Sequence, residues 1–223
     1  MNEMYNVSNP KRREIDYRTM QLIVGVVAIS LPVLTSLFSR IPLSSISASY
    51  YQAGWSQSIF IGFLFTIAAF MLGYNGVSHR QMVLSKVAAI AALCIVLFPC
   101  GCNGHHELVP RVHALAGASM FLILTYFSYA FYKRAMGKGH VNAKARATIY
   151  ALCGSAMFLT ILALSIDSLT GGHLAQRIPR LTFYAETICL FAFGISWLTA
   201  SRILPVLTRR DERFSPLRAI NPD

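Results

Sequence analysis

KRREIDYRTMQLIVGVVAISLPVLTSLF, Lys11 to Phe38, is the stretch whose reading decides the fold. Four basic residues, Lys11, Arg12, Arg13 and Arg18, lead into an uncharged apolar run, the order found in a secretory signal peptide. Ser47, Ala48 and Ser49 downstream offer small residues for a cleavage site. The run from Met20 to Phe38 is longer than the roughly 7 to 15 residues of a signal core. At about 1.5 Å per residue it comes close to crossing a hydrocarbon layer about 30 Å thick. It reads as a retained membrane helix, and Pro32 inside it, lacking a backbone donor, is expected to kink it.

Five more runs share this character: Ile59 to Tyr74, Met82 to Phe98, Val112 to Tyr132, Ala147 to Ile166 and Leu181 to Leu204. Each is continuously apolar, without the period-two alternation of a barrel strand, and a helix is the remaining way to satisfy a backbone in lipid. The second and third spans are short and should extend into their polar flanks. The expected fold class is all-α, a polytopic transmembrane bundle of six helices over residues 20–204, with tails at 1–19 and 205–223.

Composition agrees. The 223 residues are 55% hydrophobic and 13% charged, whereas a soluble domain carries about 25% charged residues, and the mean hydropathy is +0.50. The net charge of +11 raises the question of nucleic acid. The basic residues lie between apolar runs, however, not in a stripe interleaved with aromatics, so nucleic acid is not an expected partner. Sixteen of the twenty Lys and Arg fall at the two ends and in the loops after the second and fourth spans, leaving Arg40, Arg111, Arg177 and Arg180 on the other side. The positive-inside rule then puts both termini in the cytoplasm and loops 39–58, 99–111 and 167–180 outside, across a bacterial inner membrane.

Polar chemistry gathers on the outer side. Glu186 begins about five residues inside the last span, where a carboxylate is costly unless it is paired, protonated or facing water. His113 opens the fourth span and Asp167 closes the fifth, so the three share one layer, as a functional cluster or as a structural network with Arg111. Ser47 and Ser49 could be nucleophiles activated by His113 with Glu186 orienting it, although no nucleophile elbow surrounds them. With Tyr50, Tyr51 and Arg111 they are the expected binding residues of an outward-facing pocket. Ser56 and Ser58 suit the start of the second helix as caps.

Cys100-Gly-Cys102-Asn-Gly-His105-His106-Glu107 brings soft and borderline ligands together. Cys102, His105, His106 and His113 could hold zinc or copper, against which Cys-x-Cys is not the usual zinc spacing. The alternative is a loop that merely contains these residues. The closeness of Cys100 and Cys102 is expected to strain a disulfide between them.

Ser45-Ile-Ser-Ala-Ser-Tyr-Tyr51, Ile59-Phe-Ile-Gly62, Leu97-Phe-Pro99, His113, Ile149-Tyr150, Cys153-Gly154, Glu186 and Phe193-Gly-Ile-Ser-Trp197 together resemble an uncharacterised family of bacterial six-helix membrane proteins. More distantly, the layout is similar to the DRAM, Frag and Sfk group, with its Ser-Ile-Ser stretch, a His-x-x-x-Gly opening the fourth helix and a Glu in the last. That resemblance implies lipid-related work for Ser47, His113 and Glu186. Gln57-Ser58 stands where relatives often show Arg-Asp, and the Cys100 to Glu107 loop departs from their pattern.

The expected function is to bind, sense or move a lipid or other amphiphile in an outward-facing polar pocket. One alternative is an intramembrane hydrolase of a lipid ester or amide, with or without a metal. Another is a structural subunit, either self-associating or partnered by a second membrane protein.

Overall fold

The computed structural model describes residues 10–102, 104–209 and 211–214, with side chains from Tyr17 onward. The first helix, α1 (Pro10–Leu37), starts ten residues before its apolar run and passes through Pro32. Part of the expected N-terminal tail is therefore helical. Residues 1–9 and 215–223 of the expected tails, and the side chains of Lys11, Arg12, Arg13, Arg210 and Arg218 counted for orientation, lie outside what is described.

Then follow α2 (Trp55–Gly73), α3 (His79–Leu97), α4 (Val112–Met136), α5 (Val141–Leu169), a short α6 (His173–Arg177) and α7 (Leu181–Ser201). Six of these are long and apolar enough to cross a bilayer, which makes the protein an integral membrane protein. No strand occurs among the described residues. As expected, α2 and α3 reach into their polar flanks. Ser78 caps α3 by accepting a bond from Gln81 N at 3.3 Å. The expected Ser56 cap of α2 is not formed, because Gly54 occupies that place and Ser56 donates to Thr35 O of α1 at 2.9 Å.

The spans close into a ring in chain order: α1 packs on α2, α2 on α3, α3 on α4, α4 on α5, α5 on α7, and α7 returns to α1. Closure rests on two glycines. A Cβ on Gly194 would lie 2.5 Å from Ile29 Cγ1 and 2.8 Å from Gly25 O, and one on Gly25 would lie 3.0 Å from Gly194 O. Only two hydrogen side chains let these backbones approach so closely, the means by which membrane helices gain contact without a hydrophobic drive between them. Inside the ring, Tyr74, Phe127, Phe193 and Trp197 are buried. Large apolar residues such as Ile90, Leu115, Leu152 and Leu159 point outward and are more than half exposed. An outer surface of large apolar side chains suits a lipid surround rather than water.

With six spans, the start of α1 and the end of α7 share one end of the bundle. Arg18 Nη1 there donates to Glu212 O at 3.0 Å. The helix α7 thus links two polar ends, carrying Glu186 near its start and Arg202 just past its last turn.

Candidate functional sites at the two ends of the bundle

At the Glu186 end, the segment after α1 is laced to the start of α7. Arg180 Nε donates to Leu43 O at 2.7 Å, and Phe183 N donates to Ser44 O at 3.1 Å. Glu186 Oε2 accepts the Ile46 N–H and, at 3.4 Å, the Ser47 N–H, while Oε1 meets Ser47 Oγ at 3.1 Å. Ser47 Oγ also lies 3.0 Å from His113 Nε2, and His113 Nδ1 lies 3.0 Å from Phe98 O. Three residues singled out from sequence therefore do meet.

Their order differs from a hydrolase triad, because serine is in the middle. A carbonyl can only accept, so His113 Nδ1 carries a proton. The two contacts of Ser47 Oγ need one proton each, and the hydroxyl brings a single one. The second proton sits either on Glu186 or on His113 Nε2. The chain Glu186–Ser47–His113 is thus neutral overall in both forms, as an uncharged set or as an ion pair bridged by the hydroxyl.

The other expected members stand apart. Asp167 is buried, but it caps α6, accepting from Leu174 N at 2.7 Å and Ala175 N at 3.1 Å. Arg111 is exposed and gives its backbone N–H to Glu107 Oε2 at 2.6 Å, so it does not complete a network with Glu186. Ser49 is buried with its hydroxyl unpartnered. Tyr50 O accepts Gln57 Nε2 at 2.6 Å. Tyr51 donates to Cys100 O at 2.8 Å and stacks on His105 with ring centroids 3.8 Å apart.

Cys100 and Cys102 form a disulfide, their Cα atoms 5.2 Å apart. That separation lies within the range such bridges span. Among the described residues, no three His, Cys, Asp or Glu side chains gather to hold a metal. Cys102, His105, His106 and His113 are accordingly dispersed.

A cavity lies at the opposite end. It encloses about 470 Å³ and is lined by Arg18, Arg134, Lys138, Arg146 and Arg202, with Gln21, Tyr74 and Tyr150 among them. This volume falls within the range of small-molecule sites. Helical spacing explains the lining: Arg134 and Lys138 are four apart across the end of α4, Arg146 and Tyr150 four apart on α5, and Arg18 and Gln21 three apart on α1. Below them, Tyr74 packs on Trp197 with ring centroids 5.1 Å apart.

The chain beyond α7 folds back over this end. Arg146 is 2% exposed and donates to Leu207 O at 2.7 Å and to Glu212 Oε2 at 3.0 Å. Lys138 and, at 3.4 Å, Arg202 also pair with Glu212. Burial alone would raise the Glu212 carboxyl. The hydrogen bond from Lys138 and the charges of Arg202, Lys138 and Arg146 outweigh it and hold the group down to about 2.

No family model, curated protein or solved structure matches this chain. The site must be read from its own geometry.

None of the cavity residues was singled out from sequence as a binding group. Their basic side chains fell in the excess that set the orientation, and that explanation left nothing to ask of them. Two signals were present: the i, i+4 pairs if the helices are extended past their apolar runs, and the acidic pair Asp211-Glu212 between Arg209, Arg210 and Arg213.

Proposed function

We propose that this membrane protein binds an amphiphile whose anionic head enters the cavity at the terminal end of the bundle. One observation carries the reading: five cationic side chains line a single 470 Å³ space floored by aromatic rings. Like charges gathered in this way favour an anion, and the surrounding lipid supplies one on a chain. The Lys and Arg bias supports a cytoplasmic opening, in the leaflet where anionic headgroups attract basic groups by about 1 kcal/mol each. This reading sets the pocket on the side opposite to the outward-facing one expected from the polar loops.

The test is native mass spectrometry of protein released from nanodiscs holding phosphatidylglycerol and phosphatidylcholine in equal parts. Wild type should retain the anionic lipid preferentially. Arg134→Gln combined with Arg202→Gln should cut that preference roughly thirtyfold, from about 1 kcal/mol per group and a factor of ten per 1.4 kcal/mol. Equal retention by wild type and the double variant would sink the reading.

A second reading, hydrolysis, has its own observation in the 3.0 Å approach of His113 Nε2 to Ser47 Oγ. His113 can serve as base only in the form that leaves Nε2 bare, which puts the second proton on Glu186. A fluorophosphonate probe that labels wild type but not Ser47→Ala would support this reading, and an unlabelled wild type would count against it.

A further inference from the structure

Glu212 is an oxyanion already in contact with cations that line the cavity. Four of the five basic side chains that line the space converge on this residue: Lys138, Arg146 and Arg202 meet its carboxylate, and Arg18 meets its backbone carbonyl. His140 Nε2 stands 3.8 Å from the same carboxylate. The fifth, Arg134, lies 5.0 Å from the Phe131 ring centroid.

We propose that Glu212 stands in for the ligand head, and that the cavity takes a phosphate monoester which exchanges with the Glu212 carboxylate. The inference rests on the amphiphile reading above and adds the chemistry of the head and its competitor. A carboxylate offers one charge and two oxygens. A phosphate monoester offers between one and a half and two charges near neutral pH and three strong acceptor oxygens. Guanidinium groups pair with phosphate through two parallel bonds, so Arg146 and Arg202 lose nothing in geometry by the exchange and gain charge.

The segment carrying Glu212 need not unfold for this to happen. Phe214 is buried and its N–H donates to Arg202 O at 3.3 Å, while Asn142 Nδ2 holds Val206 O at 3.2 Å. These anchors flank Glu212 and do not use its carboxylate. A rotation of one side chain withdraws the carboxylate from Lys138, Arg146 and Arg202, and the backbone fastening keeps the competitor close at hand.

The experiment uses the full chain in phosphatidylcholine nanodiscs, titrated with phosphatidate and, separately, with inorganic phosphate. Glu212→Gln keeps the shape and removes the charge, and should bind phosphatidate about tenfold more tightly than wild type, a change of the size expected for losing one competing ion pair. Tightening toward inorganic phosphate as well would assign recognition to the ion itself. Tightening toward phosphatidate alone would assign it to a lipid head. Both support exchange.

Phe214→Ala, which loosens the segment while leaving the carboxylate, should also tighten binding and serves if Glu212→Gln proves poorly folded. Unchanged or weaker binding in both variants overturns the exchange. If Arg202→Gln still weakens phosphatidate binding in that case, the cavity reading stands without it; if Arg202→Gln has no effect either, both fall.

Discussion

The two ends of this bundle are both polar, yet they solve opposite problems. At the Glu186 end every charge or hydroxyl of the central trio has a partner within the chain, and the proton count closes at neutrality. At the terminal end five basic side chains line one space, and Glu212 meets four of them. A network whose proton count closes holds structure together, while a gathering of charges of one sign attracts an ion of the other. Polarity inside a membrane protein thus marks function less surely than a cluster of one charge lining a cavity.

The largest expected effect comes from breaking the strut that joins the ends. Gly194→Leu would drive a side chain into Ile29 and the Gly25 carbonyl, where even a Cβ is too close. Overpacking alone costs about 1–3 kcal/mol, and here the obstacle is partly backbone, which cannot rotate away. The variant should lose its monodisperse peak in detergent chromatography and, with it, both sites. A well-folded Gly194→Leu would show that α1 and α7 are not held by this approach.

Next in size is Glu186→Ala, which removes the acceptor of two backbone N–H groups and one hydroxyl. Each donor left unsatisfied and buried costs about 1–3 kcal/mol, so the melting temperature should fall clearly. Glu186→Gln, which keeps an acceptor oxygen, should fall less. Retention of anionic lipid by the opposite cavity should stay at the wild-type level in both. If Glu186→Ala weakens lipid retention as much as the Arg134 and Arg202 substitutions do, the two ends are coupled and the contrast drawn above fails.

The same contrast explains what could be read in advance. Six spans were legible because lipid demands long apolar helices, a demand that composition expresses directly. Their true ends were not, since α1 and α5 continue as helices through polar residues that an apolar window excludes. Ser47, His113 and Glu186 stood out as rare polar groups beside or within apolar sequence. Asp167 stood out for the same reason and was placed with them by depth alone, but depth does not choose partners, and the N–H groups of α6 were nearer. The cationic cavity stayed hidden because basic residues at a membrane edge already have an explanation. Ring closure was equally hidden, since a glycine in α1 and another in α7 announce no pairing until the chain has folded.

The smallest expected effect sharpens the terminal end alone. The Glu212 carboxyl is held at about 2 in the folded chain, below its ordinary value of 4.5. A carboxyl lowered by folding stabilises the fold above its unfolded value, and the contribution is lost as pH falls toward the folded one. Through neutral pH the ion pairs are therefore constant, and the fastening of the last segment should loosen only between about pH 4.5 and 2. The melting temperature of wild type should exceed that of Glu212→Gln at pH 7, with the gap shrinking across that acid window. His140 Nε2 faces the same carboxylate at 3.8 Å, so Glu212→Gln must be compared in a His140→Gln background as well. A gap that closes near neutrality in both backgrounds would mean that Glu212 is not the ionised partner of Lys138, Arg146 and Arg202, and the charge balance inferred for this end would have to be redrawn.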